Sequence, residues 1–330
     1  MLTLADRFGR IATDLRVSVT DRCNLRCTYC MPAEGLAWLP SPTLLSDDEI
    51  IRLVTIGIRD LGITSVRFTG GEPLIRPGLL PIIGAVRAVA PEVDLSITTN
   101  GIGLARLAQP LSDAGLNRVN VSLDSIRPET FLELTRRDRL HDVLEGLEAA
   151  ADAGLGPVKV NTVLMRGVND DQAPELLAWA LGRGYELRFI EHMPLDAQHG
   201  WNRSTMVTAE QIRASLSTRF TLTPADVRRD GAPAELFDVD GGPGRVGVIA
   251  SVTQPFCSDC DRVRLTADGQ LRDCLFATEE SDLRTALRRG DSDAELAQRW
   301  VAGVAGKRRA HGIDREGFVQ PTRPMSAIGG

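Results

Sequence analysis

Six cysteines fall into two groups of three in a chain of 330 residues: Cys23, Cys27 and Cys30 near the start, and Cys257, Cys260 and Cys274 near the end. The first group, CNLRCTYC, is spaced C-x3-C-x2-C, and the second, within FCSDCDRVRLTADGQLRDCLF, is spaced C-x2-C-x13-C. Zinc sites and iron–sulfur cubanes alike take four protein ligands when their role is structural. Three thiolates leave one metal position open, and an open iron can bind an external molecule. The competing readings are a zinc site completed by a distant histidine for the first group and a small zinc ribbon for the second. Between Phe256 and Phe276 there is neither a histidine nor a fourth cysteine, which favours an open cluster.

Beside the second group, Asp-Arg-Val-Arg at 261–264 puts Arg262 and Arg264 on one side of an extended chain, since side chains alternate along a strand. Two guanidiniums next to an open metal suit a polyphosphate, because arginine pairs bidentately with phosphate oxygens. A solvated charged strand is the plainer alternative. Arg16, Arg67 and Arg188, with Lys159, also sit where alternation or strand ends turn them inward. Buried cations are costly unless an anion neutralises them, and a triphosphate would do so.

The elements that must position these groups follow a βα rhythm. Six short runs read as strands: Asp14–Val19, Ser65–Thr69, Asp94–Thr99, Arg118–Leu123, Val158–Leu164 and Glu186–Glu191. Helical period marks Ser46–Leu61, Pro77–Val89, Leu104–Ala114, Leu140–Ala153 and Asp171–Leu181, the first with a Ser46/Glu49 capping box and Gly62 as its stop. Six βα units fall short of the eight that close a barrel, so the expected architecture is an α/β, incomplete (β/α)6 TIM-type barrel with an open side. A doubly wound sheet would give the same alternation. The first cysteine loop follows the first strand, at the strand-end face where such barrels carry their chemistry. Past about Thr205 the rhythm changes. Glycines and prolines crowd 228–245, Val246–Val252 reads as a strand, and Leu265–Leu271 as a hairpin around Asp268-Gly269. The expected division is therefore a barrel over 1–220 and a C-terminal cluster-binding extension over 221–330.

A net charge of −6 argues against broad binding to nucleic acid or an anionic membrane surface. No stretch approaches the ~20 apolar residues of a bilayer span, and MLTLADRFGR lacks the apolar core of an export signal. The expected compartment is the reducing cytoplasm, where clustered thiols more often bind metal than pair as disulfides.

CNLRCTYC resembles the cluster signature of the radical S-adenosylmethionine superfamily, and Thr69-Gly70-Gly71-Glu72-Pro73 resembles that superfamily's GGEP motif. The resemblance implies that Cys23, Cys27 and Cys30 ligate a 4Fe–4S cluster with Tyr29 beside it. It also implies that Gly70, Gly71 and Glu72 meet the methionine amine of S-adenosylmethionine. Ser122 in VNVSLD and Met193 in IEHMP match positions that line the same cofactor. Taken alone, GGEP reads as a turn, Met193 as core filler and Asp124 as a helix cap before Ser125.

DLRVSVTDRCNLRCTYCMP, VRFTGGEPL, TTNG, VNVSLD, VKVN, LRFIE, the second cysteine segment and the terminal Gly329-Gly330 together resemble the GTP 3′,8-cyclase family of molybdenum cofactor biosynthesis. Ala327 and the acidic stretch Glu279–Asp282 fall outside these motifs. The resemblance implies that S-adenosylmethionine is cleaved to methionine and a 5′-deoxyadenosyl radical, which takes the ribose 3′ hydrogen of GTP. Attack on guanine C8 then gives 3′,8-cyclo-7,8-dihydro-GTP. A second 4Fe–4S cluster on Cys257, Cys260 and Cys274 would hold the guanine ring. Arg16, Arg67, Thr98, Lys159, Arg188, Arg262, Val263 and Arg264 would line the nucleotide, and Arg16, Gly329 and Gly330 would form the catalytic set. The implied partners are GTP, cyclic pyranopterin monophosphate synthase as the next enzyme, and a reductant such as flavodoxin or ferredoxin, with a homodimer compatible. The rivals are another radical S-adenosylmethionine enzyme with an auxiliary cluster, such as a peptide-maturing one, and a non-catalytic zinc-ribbon module.

Overall fold

In the computed structural model, which describes residues 2–227, 229–313 and 317–329, the six expected strands form in order: β1 (Asp14–Ser18), β2 (Ser65–Thr69), β3 (Asp94–Thr99), β4 (Arg118–Ser122), β5 (Lys159–Val163) and β6 (Glu186–Ile190). Each pairs in parallel with the next. The helices between them are α1 (Asp47–Leu61), α2 (Leu79–Val89), α3 (Leu104–Asp113), α4 (Pro128–Thr135), α5 (Leu140–Asp152) and α6 (Ala173–Gly182). The start and stop signals of α1 act as read. The Ser46 side chain accepts from Glu49 N–H, the Glu49 carboxylate accepts from Ser46 N–H, and Gly62 ends the helix at φ +78°.

The strands sort their side chains by face. Leu15, Val17, Val66, Phe68, Leu95, Ile97, Val119, Val121, Val160, Leu187 and Phe189 turn outward into one apolar core with the helices. The intervening residues, Arg16, Arg67, Thr98, Asn120, Ser122, Asn161 and Arg188, line a cavity on the other face. Burial of the outer set drives the fold, and the inner row is left for chemistry.

The last third contributes α7 (Ala209–Leu216), β7 (Leu222–Pro224), β8 (Glu235–Val239), β9 (Arg245–Ile249), β10 (Arg262–Leu265), β11 (Gln270–Arg272), β12 (Ser281–Asp282), α8 (Arg284–Arg289), α9 (Asp293–Ala305) and α10 (Met325–Ile328). It does not hang apart as an appendage. β9 pairs in parallel with β6 and β10 in parallel with β1, giving one sheet of order β12-β11-β10-β1-β2-β3-β4-β5-β6-β9-β8-β7. The physical reason is edge cover, since β1 and β6 would otherwise present unpaired backbone groups. The order is linear, so the sheet curves without closing, as an incomplete barrel requires.

Candidate active site

The first cysteine loop leaves the end of β1 and is pinned by backbone bonds to the end of α4. Arg26 N–H donates to the Thr135 carbonyl at 3.1 Å and Thr28 N–H to that of Leu134 at 2.9 Å. Arg136, in the left-handed region at φ +56°, donates its guanidinium to the carbonyls of Arg26 (2.9 Å) and Met31 (3.0 Å). Neither α4 nor Arg136 is visible in the sequence pattern: the helix has eight residues, and the arginine acts across more than a hundred positions.

Gly70 and Gly71 are required by chain crossing. Gly71 N–H donates to the Thr20 carbonyl at 2.8 Å and Glu72 N–H to the Arg22 carbonyl at 2.7 Å, so β2's exit lies directly on the cysteine loop. A Cβ on Gly71 would overlap the Arg22 carbonyl, and Gly70 adopts φ +150°. Gly71→Val is therefore expected to destabilise the chain by about 1–3 kcal/mol through overpacking of backbone against backbone. A lower thermal midpoint together with poor iron loading would bear this out, and a wild-type midpoint would count against it.

Glu72 is fully buried and lies behind the cavity wall. Its carboxylate accepts from Leu74 N–H (2.9 Å), Thr99 O–H (2.7 Å) and Asn100 N–H (2.7 Å). Burial lifts its carboxyl to about 7 despite these donors. In this structure it braces Thr99 and Asn100, which do line the cavity, and Asn100 Nδ2 lies 3.9 Å from Cys23 Sγ. Tyr29 donates its hydroxyl to Asp124 at 2.6 Å, and Asp124 also accepts from Val163 N–H at 2.8 Å. Asp124 therefore tethers the aromatic side chain instead of capping a helix; it is Ser125 Oγ that accepts from Arg127 N–H. Ser122 and Met193 both face the cavity.

Register brings the inner cations together. Arg16 stands opposite Arg67 on one side and Arg264 on the other, and Arg262 is opposite Asp14. Like charges directly across a sheet repel, and here Arg16, Arg262 and Arg264 are buried, which excludes a solvated charged strand. Burial, with Arg16 next, pulls Arg67 well below its ordinary range. Asp14 lies 3.5 Å from Arg16 and Glu186 2.5 Å from Arg188, but among the described residues no carboxylate pairs with Arg67 or Arg264. Among the described residues Arg67 reaches only Ser96 Oγ at 3.3 Å, and Arg16 Nε and Thr98 Oγ1 are buried without a partner. Those orphaned donors and the uncompensated charge fit a bound anion. Lys159 lies one step deeper on the same face, opposite Asn120 and Glu186. Val263 turns outward into the core, so only its backbone is available to a ligand.

The second cysteine loop precedes β10, immediately beside β1. Cys257, Cys260 and Cys274 line a cavity of about 80 Å³ that shares Met193, Ser251, Phe256, Arg262, Arg264 and Leu275 with the main cavity of about 300 Å³. The two trios thus flank one continuous space. All six cysteines are unpaired, and among the described residues no three His, Cys, Asp or Glu side chains converge on a point that one metal ion would occupy. Thiol trios bordering a cavity suit a cubane, which takes each thiolate on a separate iron, better than a zinc ion that gathers ligands at one centre. Burial pushes the Cys23 thiol up to about 11 and Cys30 to about 12, so an unliganded trio stays protonated; a metal deprotonates such thiols on binding. The C-terminal tail enters the same space. Gly329 packs against Thr69 and Ser18, and its carbonyl accepts from Arg264. Gly330 lies outside the described residues.

An open parallel barrel with a three-cysteine loop after its first strand defines a radical S-adenosylmethionine protein. The Radical SAM superfamily matches residues 17–180, and Molybdenum Cofactor Synthesis C matches residues 185–313. The fold is similar to that of SuiB from Streptococcus suis bound to S-adenosylmethionine, with a TM-score of 0.60 at 12% identity, covering 84% of this chain and 64% of SuiB. The GTP 3′,8-cyclase of Streptomyces coelicolor is 66% identical over 99% of this chain and 96% of its own length. That of Paenarthrobacter nicotinovorans is 58% identical over 99% and 97%. The chain belongs to the GTP 3′,8-cyclase family.

Proposed function

We propose that this chain converts GTP to (8S)-3′,8-cyclo-7,8-dihydroguanosine 5′-triphosphate, opening molybdenum cofactor biosynthesis. The observation that carries the reading is the row of arginines running across β10, β1 and β2 between the two thiol trios, in which Arg67 and Arg264 have no carboxylate partner among the described residues. Cys23, Cys27 and Cys30 would hold a 4Fe–4S cluster, and the chemistry it would supply is one-electron cleavage of S-adenosylmethionine, directed at the ribose 3′ hydrogen.

The chain's own residues supply position. Tyr29, Gly70, Gly71, Ser122 and Met193 wall the S-adenosylmethionine end, with Glu72 bracing the adjoining Thr99 and Asn100 from behind. Arg16, Arg67, Arg188, Arg262 and Arg264, with Lys159 beneath, neutralise the triphosphate, and the Thr98 hydroxyl and Val263 backbone add uncharged contacts. Cys257, Cys260 and Cys274 would hold a second cluster whose open iron would take the guanine. Arg16, Gly329 and Gly330 make up the proposed catalytic set at the reacting sugar. Residues 1–220 form the radical-generating barrel and supply Arg16, Arg67, Thr98, Lys159 and Arg188 to the nucleotide, and 221–330 add the second cluster site with Arg262, Val263 and Arg264. Cyclic pyranopterin monophosphate synthase takes the product, flavodoxin or ferredoxin provides the two electrons needed, one for S-adenosylmethionine cleavage and one that with a proton quenches the cyclised nucleotide radical, and the enzyme works in the cytoplasm, as a homodimer if it associates. No helix among the described residues is long and apolar enough to cross a membrane.

The direct test is anaerobic incubation with GTP, S-adenosylmethionine and a strong reductant. A product isomeric with GTP, formed together with 5′-deoxyadenosine, supports the reading; deoxyadenosine with GTP unchanged would sink it. Lys159 gives a pH test. Burial first, then Arg188, lowers its ammonium to about 8 in the ligand-free chain. The cation is present below that pH and lost above it, so GTP should bind more weakly at about pH 9 than at about pH 7. Calorimetric titration of wild type against Lys159→Met checks the sign, since the variant should lose most of the difference.

A further inference from the structure

Lys307 is 3% exposed, directly after the end of α9. Its ammonium donates to the Cys260 carbonyl (3.2 Å), the Cys260 sulfur (3.3 Å) and the Arg262 carbonyl (2.8 Å). Among the described residues no Asp or Glu reaches ion-pair distance of it. A buried ammonium without a contacting counter-charge is expensive, and two neutral carbonyls do not cancel it. Asp273 acts on it only through space, and the remaining direct acceptor is the sulfur, where a thiolate would put negative charge in contact with the ammonium.

The neighbouring cation behaves differently. Arg10 donates to the Cys257 carbonyl at 2.5 Å, but it is neutralised by Asp6. Among the described residues no ammonium or guanidinium is hydrogen-bonded to a sulfur of the first trio; its N–H contacts are uncharged, the backbone of Leu25 on Cys23, the backbone of Ser326 on Cys30 and the Asn100 amide at 3.9 Å from Cys23. The two thiol groups are thus built unequally, and Lys307 is what distinguishes them.

Its placement is rigid. Ser292 and Glu295 form a capping box at the start of α9, and Trp300 and Val304 anchor the helix in the core beside α1. The chain turns at Gly306, where Lys307 N–H donates to the Val304 carbonyl at 3.0 Å. A cation at a helix C-terminus is also favoured by the helix dipole.

We infer that Lys307 is a positioning residue of the second cluster, holding Cys260 by a charged N–H···S bond and making that cluster easier to reduce than it would otherwise be. This rests on the reading of Cys257, Cys260 and Cys274 as cluster ligands. The sign follows from charge: reduction adds an electron, and an adjacent ammonium stabilises the more negative state.

The test is a reductive titration of anaerobically reconstituted, full-length protein, followed by electron paramagnetic resonance with iron analysis alongside. With about eight irons per chain, Lys307→Met should show the second-cluster signal only at more negative poise, while the first-cluster midpoint stays put. Lys307→Arg should recover most of the shift. A Met variant retaining both clusters with an unmoved second midpoint overturns the inference. Should the Met variant fall to about four irons while the Arg variant keeps about eight, charge is what holds the site and the inference stands. Iron loss in both variants overturns it, because the shape of lysine would then matter and not its charge. Wild type with only about four irons would remove the second cluster itself, a result separate from either variant's behaviour.

Discussion

Cys27→Ser is expected to abolish formation of 5′-deoxyadenosine while leaving the second trio loaded, so that iron falls from about eight to about four per chain. Cys27 is the middle ligand of its loop. Its carbonyl receives Cys30 N–H at 2.9 Å and Met31 N–H at 3.1 Å, so the backbone turn survives the exchange and only the sulfur is lost. The alkoxide that serine would need forms far less readily than a thiolate, and two thiolates do not hold the cubane. The other cysteine loop is anchored independently, through Arg10 to the Cys257 carbonyl and Lys307 to that of Cys260. GTP affinity should therefore change less than about twofold. Wild-type cleavage of S-adenosylmethionine in this variant would refute the ligand assignment.

Arg264→Ala is expected to weaken GTP binding by about 10–100-fold, the size of one lost charge-assisted contact of about 1.5–3 kcal/mol. Arg264 is buried, stands opposite Arg16 across the β1–β10 pair, and has no carboxylate partner among the described residues. Its guanidinium also donates to the Gly329 carbonyl, so the variant loosens the tail as well. Two readouts separate these effects. The dissociation constant reports the phosphate contact, and the yield of cyclised product per 5′-deoxyadenosine reports the tail. Arg264→Lys should restore part of the first, because a point charge remains without the planar fork. An unchanged dissociation constant in the alanine variant would remove Arg264 from the nucleotide site.

Much of this was legible because period and burial agree. Arg16, Arg67 and Arg188 could be assigned to the inner face from alternation alone, since Leu15, Val17, Val66, Phe68, Leu187 and Phe189 fix the outer one. The same logic, applied to β4 and β5, would have added Asn120 and Asn161, which line the cavity but are uncharged and drew no notice. Capping boxes at Thr208/Gln211 and Ser292/Glu295 mark α7 and α9 as clearly as Ser46/Glu49 marks α1, yet the loop-rich segment between 228 and 245 obscured the return to regular structure. What no local pattern carries is contact across the chain. Arg136 on the first cysteine loop, the Arg22 carbonyl that forbids a side chain at Gly71, and Lys307 on Cys260 depend on segments brought together by the sheet.

Because β9 and β10, the partners of β6 and β1, are made late, synthesis leaves the β6 seam open until the ribosome has passed residue 249 and the β1 seam until it has passed 265. The β1–β10 contacts close over more than two hundred positions and form slowly, and until both seams are covered, bare strand borders can recruit neighbouring chains. A fragment stopped at residue 220 would keep those borders permanently. It is expected to accumulate as aggregates rather than as a free-standing radical module, which ties acquisition of the first cluster to completion of the whole polypeptide.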